Sequence, residues 1–114
     1  MTSEDVRAMA LSLPQVEEAM AYGRPAFKAF GKFLTRVRSE DSSLVLLCTF
    51  DEREMLMEAE PQTFHITPHY QSYPSVLARL ETVDPGTVRS FLERRWRQVA
   101  PKKFLKDFDA ARPG

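Results

Sequence analysis

Gly23-Arg24-Pro25-Ala26-Phe27-Lys28-Ala29-Phe30-Gly31-Lys32-Phe33-Leu34-Thr35-Arg36-Val37-Arg38 is the stretch whose reading decides the fold. Two runs rich in strand-forming residues, Ala26–Phe30 and Phe33–Arg38, flank Gly31-Lys32. A two-residue connection with glycine first signals a tight β-hairpin, because its first central position needs a positive φ. Each arm sends bulky residues one way and cations the other: Lys28 in the first, Arg36 and Arg38 in the second. The hairpin founds a sheet, and the flanking segments read as its continuation and cover.

Upstream, Thr2 and Asp5 have the spacing of a capping box with Asp in the place of Glu. Val6, Met9, Ala10 and Leu13 then recur at helical spacing, and Pro14 ends the helix. Gln15–Tyr22, with its Glu17-Glu18 pair, reads as a connector. Downstream, Glu40–Ser43 is a polar turn. Leu44–Phe50 is a third strand apolar on both faces, the pattern of a central strand covered twice. Asp51 reads as the N-cap of a short helix, with Glu54 at its third position and Met55, Leu56 and Ala59 as its buried stripe. Thr63–Thr67 and Val76–Glu81 read as the fourth and fifth strands, on either side of the loop Pro68–Ser75. Asp84-Pro85 is a strong helix start. Val88, Phe91, Leu92 and Val99 form that helix's apolar stripe, with Trp96 on its shoulder and Arg95 inside it. Pro101 breaks it, and Lys102–Ala111 forms a last short turn or helix. The order α-β(3)-α-β(2)-α predicts a two-layer α+β domain over residues 1–114, an antiparallel sheet with helices mainly on one face.

A chain of 114 residues buries a core without disulfide or metal staples. Sixteen basic side chains balance sixteen acidic ones, so net charge names no partner. The distribution says more: residues 1–60 carry net −4, 61–88 net −1 and 89–114 net +5. A lone cysteine, Cys48, rules out an intrachain disulfide and suits a reducing cytosol. It lies in the most apolar strand, where it reads as a buried small hydrophobe. The chain starts with Glu4 and Asp5 where a secretion signal needs a basic start. Its longest aliphatic run, Leu44–Cys48, is far shorter than the ~20 residues that span a bilayer. A cytoplasmic location away from membranes is the expectation.

The sites that carry chemistry are few. His65 and His69 lie about 13 Å apart in an extended segment, too far to share an ion, so no metal site is expected. No nucleophile elbow is present, and Gly31-Lys32 lacks the rest of a phosphate loop. Neither a catalytic constellation nor a cofactor is therefore expected. Two features remain. The basic C-terminal end can assemble Arg94, Arg97, Lys102, Lys103 and Lys106 into one surface, joined by the hairpin cations Lys28, Lys32, Arg36 and Arg38. The loop residues His69, Tyr70 and Tyr73 either plug the end of the core or offer stacking groups at a binding edge.

Several of these residues carry a resemblance. Gly23-Arg24-Pro25-Ala26-Phe27-Lys28 followed by Gly31-Lys32 resembles the MmcQ/YjbR family. So do Thr67-Pro68-His69-Tyr70 with Tyr73-Pro74, Val76-Leu77 and Leu80, and Trp96 with Ala100-Pro101-Lys102. The likeness runs from about Gly23 to Lys106. It implies an α-β(3)-α-β(2)-α fold shared with type III secretion chaperones, and a DNA-binding role that rests on analogy of fold. Two functions follow as expectations. One is a DNA-binding protein that grips phosphates non-specifically. The other is a chaperone-like adaptor that docks an acidic protein, or a second copy of itself as a dimer, on the sheet.

Overall fold

In a computed structural model that describes residues 1–21 and 24–111, ten helices and strands follow one another. They are α1 (Ser3–Leu11), β1 (Val16–Ala21), β2 (Arg24–Ala29), β3 (Lys32–Arg38), β4 (Ser43–Leu47), α2 (Phe50–Ala59), β5 (Phe64–His65), β6 (Ser75–Arg79), α3 (Pro85–Val99) and α4 (Lys102–Ala111). A single 3₁₀ turn, Pro68–Tyr70, interrupts the loop between β5 and β6. Tyr22 and Gly23, the junction of the expected connector and hairpin stretch, lie outside the described residues. The strands form one antiparallel sheet in the order β1-β2-β3-β4-β6-β5. The α+β class stands as expected, and the central place of β4 explains why it is apolar on both faces.

Val16–Ala21, expected as part of a connector, is instead the edge strand β1, paired with β2 from Val16↔Ala29 to Ala21↔Arg24. An edge strand needs only one partner and tolerates charge, which also deters pairing with other chains. Glu17 and Glu18 fit that place, and Glu18 accepts a hydrogen bond from Arg7 of α1. The hairpin also turns one residue earlier than expected. Ala29 pairs with Lys32, so the two-residue turn is Phe30-Gly31, with φ of 53° and 76°. Both central residues are left-handed, a combination that matches the twist of the strands. Such a φ costs a side-chain-bearing residue about 1–2 kcal/mol. The Phe30 ring holds it in place by packing 5.0 Å from Phe104 and 6.1 Å from Trp96.

A second irregularity lies in the same hairpin. Phe27 pairs with Thr35 and Lys28 with Phe33, so Leu34 has no opposite number. This is a β-bulge. Leu34 turns into the core, 1 % exposed. On its other edge β3 pairs with β4 as Arg36↔Val45 and Arg38↔Ser43.

One face of the sheet carries Phe27, Ala29, Leu34, Leu44, Leu46, Val76 and Ala78 against Val6 and Ala10 of α1 and Val88, Leu92 and Trp96 of α3. Thr2 and Asp5 form the expected capping box, and the Asp84 carboxylate caps α3 by accepting from the Thr87 N–H at 3.0 Å. Trp96, expected on the shoulder, is 2 % exposed. Phe104 and Phe108 of α4 close over it, and its indole N–H donates to the Pro14 carbonyl at 2.8 Å. Arg95, inside the apolar stripe, spends its Nε–H on the Phe33 carbonyl at 2.9 Å. Burial lowers its pKa.

Helix α2 departs from expectation twice. Its N-cap is Thr49, whose hydroxyl accepts from the Glu52 N–H at 3.1 Å, two residues before Asp51. Its buried residue is Arg53, while Met55 is 70 % exposed and Ala59 faces solvent; only Leu56 of the expected stripe is partly covered. The reason is what lies beneath. The helix sits over the polar loop before β6, which presents carbonyl oxygens that need a donor.

Cys48 lies buried at the end of β4, its N–H donating to the Pro74 carbonyl at 3.0 Å. Burial, and then the Glu52 carboxylate nearby, push its thiol up to about 11. At pH 7.5 it is almost wholly protonated and a poor nucleophile. Native protein is expected to react with a thiol reagent at least tenfold more slowly than unfolded protein. Labelling at the unfolded rate would contradict this burial. Cys48→Ser is expected to destabilise by about 1–3 kcal/mol through an unpaired hydroxyl.

Candidate functional site

The face of the sheet opposite the helices is where the bulge has its effect. Lys28 of β2 and Phe33, Arg36 and Arg38 of β3 share that face with Val45 and Leu47 of β4 and Ser75 of β6. With Arg24, Lys32, Glu40 and the loop residues His69, Tyr70 and Tyr73 they line an open cleft of about 970 Å³. Phe33, Val45 and Leu47 give it an apolar floor. Five cations and one carboxylate line it, so its field favours an anion.

The cations differ in how far they are neutralised. Arg24 pairs with Glu40. Arg38, only 12 % exposed, lies 3.3 Å from Glu40 and 3.6 Å from Asp41, and its guanidinium sits 5.1 Å from the centre of the Tyr70 ring. Two of its nitrogens, Nε and one terminal nitrogen, are buried without a hydrogen-bond acceptor. Asp41 also meets His65 Nε2 at 3.1 Å. Burial would raise the Asp41 carboxyl, but His65 and Arg38 outweigh it and hold the group below its ordinary value. Arg36 donates to the Tyr70 hydroxyl at 2.5 Å. Arg36, Lys28 and Lys32 make no ion pair among the described residues.

One wall of the cleft is the tyrosine loop, and Arg53 builds it. Arg53 is 5 % exposed. It donates to the carbonyls of Tyr70, Tyr73 and Ser75 at 3.0–3.3 Å and to that of Gln71 at 3.1 Å. Its other face lies 4.7 Å from the Phe50 ring centre. Three of these carbonyls converge on Nη1 and the fourth meets Nη2, so two nitrogens of the guanidinium hold the loop together. The loop rings are thus held in fixed places: His69 edge-on to Tyr70 at 5.0 Å, Tyr73 tilted on His69 at 5.9 Å. Tyr70 plugs the core end, 9 % exposed, and Tyr73 stands 55 % exposed at the rim.

The two basic clusters read from the sequence do not come together. Lys28, Lys32, Arg36 and Arg38 line the cleft, whereas Arg94, Arg97, Lys102, Lys103 and Lys106 lie on α3 and α4, behind the sheet. There Arg94 grips Glu52 through two hydrogen bonds of 2.8 Å, which raises its pKa. Arg97 makes a two-pronged pair with Asp109 at 2.9 and 3.1 Å. Lys102, Lys103 and Lys106 are exposed. His65 and His69 also serve different neighbours, Asp41 and the tyrosines.

Arg53, Phe33, Val45 and Leu47 are the site residues that sequence reasoning missed. One signal pointed to Arg53: it is the lone basic residue among the acids of Asp51–Glu60.

The described residues include no helix long and apolar enough to cross a membrane. The model of one protein family, described as YjbR, matches residues 11–98. Uncharacterized proteins of Mycobacterium bovis and of Mycobacterium tuberculosis are 32 % identical to the chain over 93 residues, covering 78 % of it and 72 % of their own length. No solved structure matches it.

Proposed function

The chain belongs to the YjbR family, and from that premise we propose that it is a cytosolic DNA-binding protein that holds phosphates in the cationic cleft and performs no catalysis. The observation that carries this reading is the convergence of Lys28, Lys32 and Arg36, none of them ion-paired among the described residues, beside the ordered rings of Tyr70 and Tyr73. The basic C-terminal helices play a lesser part, because Arg94 and Arg97 already spend their charge on Glu52 and Asp109.

Phosphate neutralisation makes such binding sequence-tolerant and steeply salt-dependent. Three contacts give a plot of log K against log salt a slope of about −2 for a single strand and about −2.7 for a duplex, with affinity in the range of ~10⁻⁴–10⁻⁶ M at physiological salt. Fluorescence anisotropy of labelled DNA at ~50 mM salt is the test. Lys28→Ala and Arg36→Ala are each expected to flatten the slope by nearly one unit, and Lys102→Ala/Lys103→Ala to change it by less than half a unit. If the lysine pair on α4 governs binding while Lys28→Ala leaves it unchanged, the site moves behind the sheet. If no DNA binds at ~50 mM salt, the reading fails.

A second reading uses the same cleft. Its apolar floor, with Met20 61 % exposed at the mouth, suits an adaptor that docks an acidic peptide or a second copy of the chain. That reading gains if DNA does not bind and the protein sediments as a dimer.

A further inference from the structure

We infer that the DNA strand this cleft takes is single, with an unpaired base seated against Tyr73 and His69 and its phosphates running along Lys28, Lys32 and Arg36; the inference rests on the DNA-binding reading above. Three observations carry it.

The first is shape. A duplex is read by an element that protrudes, a helix or a two-stranded ribbon that enters a groove about 12 Å wide. Here Lys28, Lys32 and Arg36, without an ion pair among the described residues, line a recess. At the hairpin tip the Phe30 ring is packed against Phe104 and Trp96, which ties the turn to the helices on the other face of the sheet. A rigid double helix would rest on the rim and leave the recess empty, whereas a flexible strand can follow it.

The second is the pairing of charge with apolar surface. Phosphates alone would be served by cations on a polar surface. This cleft has a floor of Phe33, Val45 and Leu47 beneath the cations and exposed aromatic rings beside them. A ligand that satisfies both must carry negative charge and a flat apolar face within a few ångströms of each other. A nucleotide with its base unstacked does, and a paired base does not, because its faces are covered by its neighbours. Aromatic platforms beside a basic groove are how sequence-tolerant single-strand binders work.

The third is preorganisation. Tyr73 is 55 % exposed, yet its backbone is fixed by Arg53 and its ring lies against His69. A ring already held in place loses little freedom when a base lands on it. Nothing in the packing of the core requires that ring at the rim.

The experiment uses the intact protein, a fluorescein-labelled dT12 and a labelled 12-base-pair duplex at ~50 mM salt. We expect dT12 to bind at least about tenfold more tightly than the duplex. Removing a stacked aromatic costs roughly five- to a hundredfold in single-strand affinity. Tyr73→Ala is therefore expected to weaken dT12 binding by that factor, while Tyr73→Phe stays within about threefold of the parent. Neither change touches the core, so both proteins will fold. Duplex affinity equal to or above that of dT12, with Lys28→Ala still weakening it, overturns the single-strand inference and leaves the DNA-binding reading intact. Binding of dT12 that Tyr73→Ala does not weaken overturns the base seat. Failure of both DNAs to bind overturns inference and reading together.

Discussion

Arg53→Met is expected to destabilise the protein by about 3–5 kcal/mol, the cost typical of breaking a buried charged group away from its partners. The variant keeps an unbranched apolar stem but ends short of the guanidinium, so the loss combines the hydrogen bonds with the contact on Phe50. Four carbonyls, those of Tyr70, Gln71, Tyr73 and Ser75, converge on one guanidinium. Each that stays buried without a donor costs about 1–3 kcal/mol, and the loop will open to hydrate some of them. Arg53→Lys will recover less than half of the loss, since the shorter side chain with its one nitrogen gives up the Gln71 carbonyl and the face-on contact with Phe50. A domain of this size is stable by only about 5–15 kcal/mol, so the shift is large in any denaturant titration. Urea unfolding followed by far-UV circular dichroism measures it. A midpoint for Arg53→Met within error of the parent would mean that the loop carbonyls are already hydrated and that Arg53 is not their support.

Trp96→Ala is the second large effect, with an expected cost of about 3–5 kcal/mol. The site cannot collapse easily, because Trp96 is packed between α3 and α4 by Phe30, Phe104 and Phe108, with centroids 5.0–6.1 Å away. Two further losses follow from the geometry. The Pro14 carbonyl loses its indole donor, and the left-handed Phe30 loses one of the rings that hold it. Trp96→Phe keeps a ring in the cluster and is expected to cost about 1–2 kcal/mol, mostly the hydrogen bond and the smaller area. Circular dichroism, rather than the fluorescence of this lone tryptophan, should follow unfolding. If Trp96→Ala costs less than 1 kcal/mol, α4 is not docked on α3 as described.

Features whose cause is local were legible in the sequence. Thr2 with Asp5 and Asp84-Pro85 announce helix starts because cap and capped residue lie three positions apart. The hairpin was legible from its alternating arms, although the turn falls on Phe30-Gly31 rather than Gly31-Lys32. Reading the glycine as the first central residue ignored that Phe30 can be held left-handed by Phe104, a contact 74 positions away in the chain. The edge strand Val16–Ala21 was hidden for the same reason: Glu17-Glu18 looks solvated until β2 supplies a partner. In the site, Lys28, Arg36, Arg38, Tyr70 and Tyr73 were identified as candidates, and the structure brings them to one cleft. That Arg94 and Arg97 do not join them depends on Glu52 and Asp109, which periodicity cannot assign as partners. Arg53 was the hardest to read, since its acceptors are backbone atoms 17 to 22 residues on. Carbonyls leave no mark on a sequence.

The unpaired Leu34 has a bearing on how this chain is compared with its relatives. Along β3, odd-numbered Phe33 faces the cleft before the bulge, and even-numbered Arg36 and Arg38 face it afterwards. Which side chains meet a ligand is thus a matter of parity, and the bulge is where the parity changes. A relative with the same number of residues but no bulge could keep every arginine and yet direct them into the core, with the residue equivalent to Val37 in the cleft, whereas one lacking the residue between Phe33 and Thr35 would keep them in the cleft. Substitution tables would score the two chains as alike. For this surface the informative character is whether a strand holds its extra residue as a bulge, because regular pairing of the same residues exchanges the inside of the strand for its outside.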